Sequence, residues 1–185
     1  FAEPTRSGTF GAILPRWSMT APEPIARIRV TLNEIEPKIW RRLDVPLGLS
    51  LKGLHDAIHA VMGWEDYHLF EFRIGGKLYG LPEPEEDYDR KVLHAKLIKL
   101  ETLVAKGVRR FDYVYDFGDN WVLAVEIESI ALGDPELRYP RFVDGARRAP
   151  PEDCGGPYGF ADFVEAVTDR RHPRHRELKE WYGGP

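Results

Sequence analysis

The stretch "RRFDYVYDFGDNWVLAVEIESI", residues 109–130, decides the fold. On both sides of "FGDN" the apolar residues recur at every second position: Phe111, Tyr113 and Tyr115 on one arm, Trp121, Leu123, Val125 and Ile127 on the other. Successive side chains of a strand point to opposite faces, so this spacing predicts two strands, each with one buried face, joined as an antiparallel hairpin. Asp116 and Asp119 are then corner residues whose carboxylates accept backbone N–H bonds around Gly118.

The same period appears upstream. Ala26, Ile28, Val30 and Leu32 share one face of a strand from Ile25, with Arg27, Arg29 and Thr31 on the other. In "KIWRRLDV", Ile39, Leu43 and Val45 lie opposite Trp40, Arg42 and Asp44, and Arg41 interrupts the apolar side. "YHLFEFRIGGKLYG" keeps Phe70, Phe72 and Ile74 in phase and carries Gly75-Gly76, the positive-φ pair of a tight hairpin. Between these strands Leu51, Leu54, Ile58, Val61 and Met62 recur at helical spacing after Ser50, an N-cap residue, and Gly63 ends the helix. A weaker helical pattern runs from Val92 to Ala105, ended by Gly107. Leu81–Arg90 reads as an acidic surface loop and Ala131–Gly156 as a long loop. Two short helices follow, at about 159–168 and 173–181. Strands that come as hairpins, with helices between and after them, predict an α+β domain: a mostly antiparallel sheet with helices packed against it.

At 185 residues the chain is long enough for one domain with a real core, assigned to residues 25–185, with 1–24 as a tail rich in Pro, Ser, Thr and Gly. The tail begins without methionine, and Met19 is an alternative start. A single cysteine excludes an internal disulfide framework and favours a reducing, cytoplasmic location. No apolar run approaches the ~20 residues of a membrane helix. A net charge of -4 argues against wholesale nucleic-acid binding, although basic clusters stand at Arg27, Arg29, Arg41, Arg42, at Arg147, Arg148 and in "RRHPRHR".

Two chemistries are open. Trp40-Arg41-Arg42 mixes cations with an aromatic ring, which suits phosphate and base stacking, and a binding groove lined by Trp40, Trp64, Tyr115 and Trp121 with Arg41 and Arg42 at its rim is one expectation. A nucleic acid or a protein would be the partner. The other is metal or acid–base hydrolysis, nuclease-like chemistry included, drawing on His55, His68, Glu71, Asp116, Asp119 and Asp153. His55 and His59, four apart on a helix, present a metal-like pair. His68 or Glu71 is the candidate third ligand, but strand phase turns those two residues to opposite faces, so both cannot serve one metal unless the strand is bulged. His55 also falls inside the apolar stripe of its helix, which favours a hydrogen-bonded core histidine. His55, His59 and His68 are the metal candidates, and neither a metal nor another cofactor is expected. Asp-Phe-Gly at 116–118 lacks the Gly-rich loop and the His-Arg-Asp segment that accompany it in protein kinases. Cys154, in "PPEDCGGPYGF", has Glu152 and Asp153 as neighbours, and negative charge disfavours its thiolate.

Taken in order, "IWRRLDVP", "LHDAIHAVMGWEDYHLFEFRIGGKLYG", "YVYDFGDNW" and "PPEDCGGPYGF" resemble the plasmid pRiA4b ORF-3-like family. The resemblance implies an α+β domain found on plasmids, insertion elements and chromosomes, and supplies no catalytic assignment. Its pattern falls on Trp40, Arg41, Arg42, His55, Trp64, His68, Glu71, Asp116, Gly118, Asp119, Trp121 and the run Pro151 to Pro157. Phe70 stands where many relatives have a second histidine, and an expected acidic tail is missing after Pro185. Of the two readings, a non-catalytic binding or accessory module of mobile elements is the first expectation and a hydrolase the alternative.

Overall fold

The computed structural model describes residues 22–82 and 91–183. Eight strands form one sheet: β1 (Pro24–Leu32), β2 (Trp40–Pro46), β3 (Phe70–Ile74), β4 (Lys77–Gly80), β5 (Val92–His94), β6 (Arg110–Tyr115), β7 (Trp121–Leu132) and β8 (Arg141–Ala146). Their spatial order is β5-β4-β3-β6-β7-β1-β2-β8, and every pair is antiparallel except β4 with β5. The helices are α1 (Leu51–Met62), α2 (Leu100–Ala105), α3 (Gly156–Thr168) and α4 (His175–Trp181). The domain is therefore α+β, as the hairpin periodicity predicts.

Register explains the core. Ile28 lies beside Ile127 and Leu43, Val30 beside Val125, Leu123 beside Tyr113, and Phe72 beside Tyr113, so one face of the sheet is a continuous apolar layer. The α1 helix closes this layer with Leu51, Leu54, Ile58 and Met62, all buried. Its ends follow the sequence. The Ser50 hydroxyl accepts the Gly53 N–H, and Gly63 takes φ 76°, a left-handed conformation open to glycine at little cost.

Two expectations change. The pattern from Val92 to Ala105 is helical only in its second half, because Val92–His94 pairs with β4 as an edge strand and Ala95–Leu97 is a single 3-10 turn. The long loop after Ala131 is also shorter than expected: β7 runs on to Leu132, and β8 adds to the outer edge of β2. The acidic run at 83–89 and the first 21 residues of the tail lie outside the described residues. Among the described residues, no helix is long and apolar enough to cross a membrane.

Arg41 shows why an apolar face can carry an arginine. It stands beside Val30 on the core side, where its Nε donates to the carbonyl of Val61 at 2.8 Å, near the C-terminus of α1, and Nη1 donates to the carbonyls of Trp40 and Ala146. One guanidinium thus ties α1 to β2 and β8, at the negative end of the helix dipole. Arg41→Ala is expected to cost about 2–4 kcal/mol by leaving buried carbonyls unpaired. Arg42→Ala should leave the unfolding midpoint nearly unchanged. A urea titration of the two variants checks the contrast.

Candidate functional site

Trp40, Arg41, Arg42, Trp64, Tyr115 and Trp121 do not form one groove. Trp40 and Arg42 belong to the outer face of the sheet, opposite Thr31 and Arg29, whereas Arg41 lies on the core face. Trp64, Tyr115 and Trp121 are buried: Trp64 stacks on Tyr115 at 5.0 Å between ring centroids and lies 6.3 Å from Trp121. The groove fails because Trp40 and Arg41 are adjacent on a strand and must point to opposite faces. On the outer face, Arg29 lies 4.3 Å and Arg42 5.2 Å from the Trp40 ring, and Arg42 also donates twice to Glu128. Arg27 is bound to the buried carboxylate of Asp44, and the Arg27 hydrogen bond holds the Asp44 carboxyl below its usual range. Much of this basic surface is neutralised by its own carboxylates.

The hydrolytic candidates separate into two groups and two outliers. Glu71 is an outlier: it lies beside Val114 on the outer face, 2 % exposed, and accepts from Arg73 Nε at 2.8 Å. Asp119 is the other. Its Oδ2 accepts the N–H of Gly155, the N-cap of α3, so its charge serves a helix N-terminus.

The first group is buried beneath α1. His55 and His59, one turn apart, both point at the hydroxyl of Tyr113, with His55 Nδ1 at 2.8 Å and His59 Nε2 at 2.9 Å. His55 Nε2 lies 2.9 Å from Asp66 Oδ1, whose other oxygen faces Lys52 Nζ at 3.4 Å. A carboxylate only accepts, which assigns the protons. His55 Nε2–H donates to Asp66, the Tyr113 hydroxyl donates to His55 Nδ1, and His59 Nε2–H donates to Tyr113. His59 Nδ1 is left buried without a hydrogen-bond partner. Burial, reinforced for His55 by His59, brings both histidines down to about 4, so both are neutral near pH 7. Burial also raises the Tyr113 hydroxyl well above its ordinary value.

The second group sits where β3 begins and β6 ends, the same end of two antiparallel neighbours. His68 precedes β3, Asp116 follows β6, and Asp153 comes from the "PPEDCGG" turn. Their donor atoms lie within 4.8 Å of one another. His68 Nε2 is 2.9 Å from Asp153 Oδ1 and 3.6 Å from Asp116 Oδ2. Neither approach makes a hydrogen bond, and Nε2 is buried without such a partner. Asp116 Oδ1 accepts the N–H groups of Gly118 and Asp119, which leaves Oδ2 for His68.

Close backbone packing holds this end together. A Cβ on Gly156 would come 2.5 Å from the Asp119 carbonyl oxygen, so the 150s turn rests directly on the "FGDN" corner. Four non-glycine residues here take positive φ: Asp66, Asp116, Asn120 and Asp153. Asp and Asn tolerate this region best, yet each pays for it, and such residues concentrate at functional sites. Glu152 completes the corner. Its Oε1 accepts from the Tyr115 hydroxyl at 2.5 Å and from the Glu65 N–H at 3.1 Å, while Oε2 is buried without a partner. The Tyr115 ring lies between the groups, 4.4 Å from His59 and 5.8 Å from His68. Cys154 is half-buried, and its thiol is pushed up to about 12 by burial first and by Asp119 second. It is a turn residue, and Asp119 contributes more to that shift than its sequence neighbour Asp153.

Sequence reasoning missed Asp66, Tyr113 and Glu152 as site residues. Tyr113 was hidden in an apolar stripe, and Asp66 and Glu152 looked like loop charges. Strand phase does not constrain His68, which precedes β3, so His68 can face Asp116 and Asp153 while Glu71 points to the outer face.

The fold and these histidine–carboxylate groups define the class: a mostly antiparallel α+β domain with polar clusters at one end of its central strands. The chain belongs to the plasmid pRiA4b ORF-3-like protein family, which it matches over residues 24–185. It is 38% identical over 161 residues to the uncharacterized protein y4hQ of Sinorhizobium fredii, a match covering 86% of this chain and 81% of that one. The crystal structure of a protein of unknown function, MM3350 from Methanosarcina mazei Go1, is similar at 34% identity with a TM-score of 0.75, over 86% of this chain and 89% of that one.

Proposed function

We propose that the domain is a metal-dependent hydrolase whose divalent cation is held by His68, Asp116 and Asp153. The observation that carries this reading is the meeting of these three donors, from three separate segments, within 4.8 Å. One imidazole and two carboxylates suit Zn²⁺ or Mn²⁺, and a site with three protein ligands keeps a position open for water. A bound cation would lower the pKa of such a water and so supply a nucleophile at neutral pH. Glu152, next to Asp153 in the chain, fixed through Oε1 and unpartnered at Oε2, would be the residue to take the water's proton. His55 and Glu71 have no part in this site. The buried network of His55, His59 and Tyr113 supports it from behind through Tyr115.

The test is a hydrolysis screen over chromogenic ester, amide and phosphodiester substrates, with chelator-stripped protein reloaded with Zn²⁺ or Mn²⁺. Turnover is expected to depend on the metal and to fall at least ~100-fold in Glu152→Gln. Turnover indifferent to chelator and to His68→Ala would remove the reading. A second reading, a binding module, is favoured by the half-buried Trp40 ring with the guanidinium groups of Arg29 and Arg42 against it on the outer face. On that reading Trp40→Ala would weaken partner binding without affecting hydrolysis. With its lone cysteine the protein suits the cytoplasm, and association with mobile elements is carried by the family likeness alone.

A further inference from the structure

Beside Asp153 a cavity of about 400 Å³ opens between α3, α4 and the 150s turn. Its walls include Phe163 and Trp181, whose rings meet edge to face at 5.9 Å, together with Asp153, Asp162, Glu177 and Arg174. Three carboxylates and one guanidinium line it; Asp153 already lies 2.9 Å from His68 Nε2, and the guanidinium is engaged by Glu177, at 2.9 Å from Nη2 and 3.3 Å from Nε. Asp162 has no cation within 4.0 Å among the described residues, although its charge acts on Arg174. Trp181 is half exposed, an unusual state for a tryptophan.

A half-exposed indole beside carboxylates that outnumber their cations has the chemistry of a cation site. The ring face attracts an ammonium or guanidinium, the aromatic walls cover an aliphatic stem, and the carboxylates repel an anion. We propose that this cavity is the substrate subsite of the hydrolase, and that it takes a group with a cationic end on an aliphatic stem, as in a lysyl or arginyl chain. The proposal rests on the metal-site reading only for the cavity's role in turnover. Asp153 is a proposed ligand and also a wall of the cavity, so a group seated there brings the neighbouring bond of the substrate to the metal-binding corner.

Binding can be measured without turnover. In ¹H–¹⁵N spectra of the metal-free protein the Trp181 indole signal, assigned with Trp181→Phe, is followed during titration with N-acetyl-lysine amide, its uncharged isostere N-acetyl-norleucine amide and N-acetyl-glutamate amide. The lysine compound is expected to shift that signal and to bind roughly 10-fold tighter than the norleucine compound, with the glutamate compound weakest. The preference for lysine should shrink to about 2-fold or less in Asp162→Asn/Glu177→Gln and with about 0.5 M salt. Equal binding of the three compounds, or no shift of the Trp181 signal by the lysine compound, would overturn the subsite. His68→Ala should keep the lysine preference, so loss of metal chemistry and loss of the subsite are separate results.

Discussion

Tyr113→Phe is expected to destabilise the domain by about 2–4 kcal/mol, although it removes one oxygen atom and no apolar contact. The Tyr113 hydroxyl is the hydrogen-bond partner of both His55 Nδ1 and His59 Nε2. Without it, two buried ring nitrogens lose their partners together, and His59 would have neither nitrogen satisfied. The network also sets the acid limb of stability. Both histidines have folded values near 4, below the ordinary 6.5, so the unfolded chain binds protons more readily than the native one between those values. The stability they contribute is present above about pH 6.5 and is lost as pH falls toward 4. A ceiling is on the order of 3 kcal/mol for each histidine, less for the pair because their charges interact. Urea titrations at pH 7.5 and pH 5 check both effects. The wild-type midpoint should drop on acidification, and His59→Gln, although less stable at pH 7.5, should drop less. A Tyr113→Phe midpoint equal to wild type at pH 7.5 would show that the hydroxyl is dispensable.

Gly159→Ala is the second large effect, and it strikes the candidate site from a helix. A Cβ at position 159 would stand 2.0 Å from the Cys154 carbonyl oxygen, a backbone atom that has no rotamer to move into. Either α3 separates from the 150s turn or the turn shifts and carries Asp153 away from His68. The expected cost is about 3 kcal/mol, the upper end for overpacking, with at least a ~10-fold loss of metal affinity. Gly48→Ala is the control, because a Cβ at that position would meet nothing within 4 Å. Unfolding midpoints and metal titrations of the two variants should diverge. A Gly159→Ala protein with wild-type midpoint and affinity would mean that the turn is not held as tightly as the packing implies.

The hairpin at 109–130 was readable because a period of two is a local property, and each strand of it lies where the alternation puts it. The same holds for Ser50 and Gly63, whose capping roles follow from side-chain and backbone chemistry alone. The edge strand at 92–94 was not readable: three residues are too few to show a period, and its pairing with β4 is a tertiary event. At the site, turn chemistry gave Asp116 its two backbone N–H partners in advance. The meeting of Asp116 with His68 and Asp153 depends on how β3 pairs with β6 and where the 150s turn lands, which no local pattern encodes. Trp64, Tyr115 and Trp121 illustrate the opposite error, since they are expected to line a groove with Trp40 and are instead buried in the core.

The most direct measurement is isothermal titration of chelator-stripped protein with Zn²⁺ and Mn²⁺, comparing wild type with His68→Ala, Asp153→Asn, His55→Ala and Glu71→Gln. One ion per chain is expected in wild type, His55→Ala and Glu71→Gln, with affinity reduced at least ~100-fold in His68→Ala and Asp153→Asn. No binding by wild type, or binding lost in His55→Ala and kept in His68→Ala, would contradict the metal centre at His68, Asp116 and Asp153.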